Sequence, residues 1–137
     1  MNKVQAALLL ASAVALGGCD ITASANAPRD SGGAASAPGA VLSGMIGSKI
    51  SAALDDQDRQ LAYDAQINAL EYGASGAPVP WRNARSGHHG NIVAGPAYEI
   101  RGAKCRGYSH TVAIDGQLQT TRGTACRHSD GSWAAVS

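Results

Sequence analysis

The residues best equipped for chemistry are three cysteines, Cys19, Cys105 and Cys126, and four histidines. A thiol can pair with another thiol, ligate a metal or carry a lipid, and an imidazole can move a proton or ligate a metal. Spacing narrows the choice. His88 and His89 are adjacent, so on a strand they point to opposite faces and do not share a metal ion; within Ser86-Gly87-His88-His89-Gly90 they read as a solvated loop. His110 and His128 are isolated and are expected at the surface. Ser86 is close to His88 only along the chain, with no nucleophile elbow around it. Asp55, Asp56 and Asp58 suit the start of a helix better than a paired-carboxylate site. Trp81 and Trp133 suit core anchoring better than sugar stacking. The expectation is a protein without catalysis, metal or cofactor.

The elements that must position these residues follow from local rules. A helix is predicted from about Asp56 to Tyr72, with Asp55 as N-cap, Asp58 at its third position and Gly73 as C-cap. Leu61, Ala65, Ala69 and Tyr72 share one face, and Tyr63, Ile67 and Leu70 nearly the opposite one, so packing on two sides is expected. Residues 39–53 suit one short amphipathic helix through Leu42, Ile46 and Ile50. Gly39, Gly44 and Gly47 only loosely echo a small-residue zipper and Lys49 interrupts it, which argues against a membrane hairpin. After a loop from Ala74 to Pro80, glycines punctuate runs of Val, Ile, Thr, Tyr and Trp. Strands are expected near Val79–Asn83, Gly90–Ile100, Lys104–Ile114, Gln117–Arg127 and Trp133–Val136, with turns at Arg85–Gly87, Arg101–Gly102, Asp115–Gly116 and Ser129–Gly131. The fold class is α+β: one long and one short helix on a small antiparallel β-meander of four to five strands.

Asp115-Gly116 between β-rich runs favours a two-residue type I′ turn, which fixes register. Ile114 then faces Gln117 in a hydrogen-bonded pair, and nine steps from the turn Cys105 faces Cys126. Bonded and non-bonded pairs alternate, so the cysteines fall on a non-bonded pair, where α-carbons approach to about 4.5 Å, within reach of a disulfide. A bulge at Gly107 or Gly123 would upset this register. The rival readings are a metal pair, which two thiols cannot complete alone, and two reduced core thiols; the oxidising compartment of an exported chain favours the disulfide.

A staple also suits the composition. With 137 residues, 4% aromatics and no Phe, the chain has room for one domain with a modest core. The formal net charge of +1 argues against nucleic acid as a partner. Between Ser51 and Pro78 five acids stand against one base, and from Val79 onward seven bases stand against three acids. Attraction between the two segments is preferred to an anionic-ligand site.

The N-terminus reads as an address. Lys3 precedes an apolar run from Ala6 to Leu16, and small residues precede Cys19, so residues 1–18 have the layout of a cleaved signal peptide. Leu16-Gly17-Gly18-Cys19 resembles the lipobox of bacterial lipoproteins. That resemblance implies lipid on the Cys19 sulfur and cleavage before it, and two or three acyl chains anchor stably where one does not. Asp20 resembles the inner-membrane retention signal of enterobacterial lipoproteins, which leaves the inner membrane as an alternative to the outer. Residues 19–40 are rich in Ser, Gly, Ala and Pro and read as a flexible tether, with the domain over 41–137.

Downstream motifs carry a second resemblance. Gly123-Thr124-Ala125-Cys126-Arg127 followed by Asp130-Gly131-Ser132-Trp133 is similar to the closing strands of rickettsia-type 17-kDa surface-antigen lipoproteins. Cys105-Arg106-Gly107-Tyr108, Trp81-Arg82-Asn83 and Leu54-Asp55-Asp56-Gln57-Asp58-Arg59 resemble their Cys-Arg-x-Tyr strand, Trp-x-Asn and helix start. The likeness spans about residues 39–136, although the regular glycine zipper that members often carry is reduced here to a remnant. It implies an outer-membrane lipoprotein without known catalysis. Its expected partners are the membrane through the anchor, together with other envelope proteins, peptidoglycan or lipopolysaccharide. The alternative reading is a lipid-anchored inhibitor of host lysozyme or protease that uses the Arg85–Gly90 loop.

Overall fold

A computed structural model describes residues 38–136, so the signal peptide, Cys19 and most of the expected tether lie outside the described residues. Helix α1 spans Pro38–Ile46, α2 Ser48–Ala53 and α3 Asp56–Tyr72. They pack on a five-stranded antiparallel meander of β1 Pro78–Arg82, β2 His89–Ile100, β3 Ala103–Ile114, β4 Gln117–Arg127 and β5 Trp133–Val136, in the order β1-β2-β3-β4-β5. The α+β class and the strand plan are as the sequence implies.

The upstream helix is two helices. The chain breaks at Gly47, whose φ of 85° lies in the left-handed region, so one continuous helix over 39–53 is not formed. Leu42, Met45, Ile46 and Ile50 still face the core, and α1 opens at Pro38, inside the stretch expected as tether. Helix α3 starts as expected. Asp55 and Asp58 form a reciprocal capping box, with Asp58 N donating to Asp55 Oδ1 at 2.7 Å and Asp55 N to Asp58 Oδ2 at 3.1 Å. Gly73 does end the helix, but with extended backbone. Its need for glycine is steric, because a β-carbon there would stand 2.5 Å from the Ala69 carbonyl oxygen.

The β3–β4 register runs unbroken from Ile114↔Gln117 to Cys105↔Cys126, and the two cysteines are bonded with their α-carbons 4.0 Å apart. Asp115 (φ 50°) and Gly116 (φ 80°) both adopt the left-handed backbone that the tight turn requires. The sheet's one register shift lies in β2, between Ala94 and Ala97, and not at Gly107 or Gly123. Pro96, which cannot donate to a ladder, sits in that bulge.

On β3, Arg106, Tyr108, His110, Val112 and Ile114 alternate toward the helices and are all buried. Sheet side chains then satisfy the carbonyls that helix ends leave open. Tyr108 Oη donates to Met45 O at 2.8 Å and Thr121 Oγ1 to Ile46 O at 2.9 Å, closing α1. Arg106 closes α3: Nη1 donates to Ala69 O and Leu70 O, each at 3.0 Å, and Nε to Gly95 O of the bulge at 2.8 Å. A cation at the negative end of the helix dipole is favourable, and the planar fork suits several carbonyls at once.

Candidate functional site

Three polar constellations join helix to sheet. The first centres on Asp58, which is fully buried although it lies in the first turn of α3. Its Oδ1 accepts from Asn83 Nδ2 at 2.7 Å and from Ser86 Oγ at 2.6 Å, and its Oδ2 lies 2.7 Å from His88 Nδ1. The β1–β2 loop folds back on itself to bring these donors in: Asn83 N donates to His88 O, Gly87 N to Asn83 O, and His88 N to Ser86 Oγ at 3.1 Å. Burial pushes the Asp58 carboxyl up, but hydrogen bonds from Ser86, His88, the Asp55 backbone and Asn83 outweigh it and hold the group below its ordinary value. His88 is raised, chiefly by its bond to Asp58 against the opposing effect of burial, with Asp115 adding to the rise. Its Nε2 lies 3.5 Å from Asp115 Oδ1, so the imidazole bridges the start of α3 and the β3–β4 turn.

Ser86, His88 and Asp58 thus meet in space, which their separation in sequence did not indicate. Their order is not that of a nucleophilic triad. Ser86 donates its proton to the Asp58 carboxylate, and His88 turns its two ring nitrogens to Asp58 and Asp115, so no imidazole nitrogen faces the hydroxyl. Among the described residues no group of three His, Cys, Asp or Glu is arranged to hold a metal ion. The loop expected to be solvated, and offered as inhibitory only in the alternative reading, turns Ser86 and His88 inward, while Arg85 and His89 face solvent.

The second constellation corrects the surface placement of His110, which is fully buried. Trp81 Nε1 lies 3.0 Å from His110 Nε2, and His110 Nδ1 lies 2.8 Å from Gln66 Oε1. An indole nitrogen only donates, so Nε2 must accept, and the single imidazole proton sits on Nδ1 and is donated to Gln66. The partners fix a neutral ring, and burial lowers its pKa from 6.5 to about 4. Gln66 Nε2 is buried without a hydrogen-bond partner. The buried face of α3 is accordingly the stripe of Asp58, Ala62, Ala65, Gln66, Ala69 and Leu70, between the two apolar faces expected, and Tyr72 projects into solvent at 81% exposure.

A pH dependence follows. Above pH 6.5 His110 is neutral both folded and unfolded; between 6.5 and about 4 the unfolded chain takes up a proton that the folded one refuses. Stability should fall on acidification across that window by about 3 kcal/mol. The contribution of His88 has the opposite sign: it is complete below 6.5 and is lost only as pH rises through its raised value. Urea unfolding at a series of pH values, with His110→Gln as control, should show the acid limb flattened in the variant. An unchanged limb would assign it to other groups.

The third constellation joins the end of α3 to β4 and β5. Glu71 Oε2 accepts from Arg127 Nε at 3.0 Å and from Trp133 Nε1 at 2.7 Å. These two bonds, the Trp133 one foremost, hold the Glu71 carboxyl below its ordinary value. The Glu71–Arg127 pair realises the attraction expected between the acidic and basic segments, and Trp81 and Trp133 are buried anchors as expected.

The hubs Asp58, Gln66, His110 and Arg106 were not expected. A sequence signal existed for two of them: Arg106 and His110 lie in phase with Tyr108, Val112 and Ile114 on one strand, which marks the core face.

The family described as 17 kDa outer membrane surface antigen matches residues 68–134. The 17 kDa surface antigen of Rickettsia bellii (strain RML369-C) is 40% identical over 104 residues, covering 75% of this chain and 65% of that relative. The 17 kDa surface antigens of Rickettsia felis and Rickettsia prowazekii (strain Madrid E) are 43% and 42% identical over 84 and 83 residues, covering 61% and 60% of this chain and 53% and 52% of the relatives. The chain thus spans less than two thirds of the length of these relatives. No solved structure matches.

Proposed function

We propose that this chain, whose residues 68–134 match the 17 kDa outer membrane surface antigen family, is an envelope lipoprotein with a structural or binding role and no catalysis. Lipid on Cys19 would hold it to the outer membrane, and its partners would be other envelope proteins, peptidoglycan or lipopolysaccharide. One observation carries the reading. The motif residues that resemble the family, namely Trp81, Asn83, Arg106, Tyr108, Arg127 and Trp133, all bond to partners within the domain. Their chemistry is spent on joining strand to strand and helix to sheet, which suits a scaffold. The lipobox supplies the anchor, and no helix among the described residues is long and apolar enough to cross a membrane.

After a high-salt wash, which screens charge contacts with lipid headgroups, changing Cys19 to Ser should move the protein from the membrane pellet to the soluble envelope fraction, because no acyl chain remains to hold it. The folded domain should keep its thermal midpoint. A Cys19→Ser protein that still sediments fully with membranes after that wash would contradict the anchor.

A further inference from the structure

We propose that the end of the domain at which the chain enters is a docking surface for the phosphate headgroups of a bilayer. This rests on the reading of Cys19 as the anchor.

Two adjoining clefts lie at that end. One, of about 500 Å³, is lined by Arg101, Lys104, Arg127 and His128 with no acidic residue in its wall. The other, of about 430 Å³, is lined by Ile100, Cys126 and Val136, and it shares Arg101 and Ala103 with the first. Ile100 and Val136 are 40% and 44% exposed, and Tyr98 beside them is 46% exposed. Exposed cations next to exposed aliphatic and tyrosine side chains match the interfacial layer of a membrane, where charge meets phosphate and short apolar groups reach the acyl boundary.

Three carboxylates, Glu71, Asp130 and Glu99, stand near this end but outside the lining of the first cleft. Glu71 is held by Arg127 and Trp133, and Asp130 accepts from the Ser132 backbone and hydroxyl. Glu99 stands opposite Lys104 in the β2–β3 register. Arg101 projects from a turn of left-handed residues, with φ 50° and then 80° at Gly102, and is exposed with Lys104 and His128.

The path of the chain selects the occupant. The far end of α1 is fixed to the middle of the sheet by Tyr108 and Thr121. Its first turns, at Ala40 and Val41, lie against Ala134 and Ala135, and Ala134 pairs with Cys126 of the second cleft. Pro38 therefore enters at the end that carries both clefts. Eighteen residues lie between it and Cys19, a span of at most about 65 Å. An anchor at that distance keeps this end facing bilayer phosphates at a high effective concentration, so weak individual contacts suffice.

The test uses the chain from residue 19 onward carrying Cys19→Ser, so that no lipid binds it, with vesicles of phosphatidylglycerol and phosphatidylcholine or of phosphatidylcholine alone. It should cosediment with the anionic vesicles only. Arg101→Glu with Lys104→Glu should lower the partition coefficient about 30-fold. Arg82→Glu with Arg85→Glu, distant from both clefts, should lower it by no more than about 3-fold. Circular dichroism confirms that each variant folds. Equal loss in the two double variants, equal binding to neutral vesicles, or no binding would overturn the proposal. So would displacement by inorganic phosphate at fixed ionic strength, which would mark a free-phosphate site. The mass at Cys19 reports separately on the anchor.

Discussion

Replacing Asp58 with Ala is expected to destabilise the domain by about 3–5 kcal/mol, a large part of what a domain of this size possesses. The carboxylate is fully buried and accepts from Asn83, Ser86, His88 and the Asp55 backbone. Removing it leaves buried Asn83 without its acceptor, strips Ser86 and His88 of theirs, undoes the capping box, and frees the β1–β2 loop from the helix. Because the Ala variant could fail to fold, Asp58→Asn provides the second measurement. It keeps the shape but not the charge, so the His88 pKa should fall back toward 6.5, which a nuclear magnetic resonance titration reads directly. A loss below about 1 kcal/mol in Asp58→Ala, with His88 unmoved in Asp58→Asn, would mean that the constellation holds nothing together.

Breaking the Cys105–Cys126 bond should cost about 3 kcal/mol, the chain entropy released when a loop of this length opens. The two residues are separated by 21 positions and lie opposite each other on β3 and β4. At this end of the sheet β5 pairs with β4 over only four residues, Thr124 to Arg127, and the other ties are the bonds of Arg106, Arg127 and Trp133 to α3. In urea, wild type with reductant should unfold at the midpoint of Cys105→Ala/Cys126→Ala without it, and reductant should leave the double variant unaffected. A wild-type midpoint insensitive to reductant would refute the staple.

What could be read from the sequence was what short-range rules decide. Asp115-Gly116 fixed a turn, the turn fixed a register, and the register carried nine residues outward to the disulfide without interruption. Asp55 and Asp58 marked the start of α3 because capping depends on residues three apart. The hubs depend on distant partners. Asp58 gathers donors 25 to 30 residues away, and His110 meets Gln66 across 44. Ala65, Ala69 and Leu70 of the buried stripe of α3 were expected, but no local pattern shows that a capping carboxylate also faces the core, so polar Asp58 and Gln66 were overlooked. The break at Gly47 was hidden because glycine is tolerated within helices, and only the direction of packing shows that the chain turns there.

The domain is stapled across its sheet by Cys105–Cys126, and its proposed anchor is lipid on Cys19. The most direct measurement is the intact mass of the protein extracted from native membranes, with thiols alkylated before and after reduction. It should equal residues 19–137 plus acyl groups, with two thiols reacting only after reduction. An unlipidated mass, or two thiols that react without reductant, would contradict it.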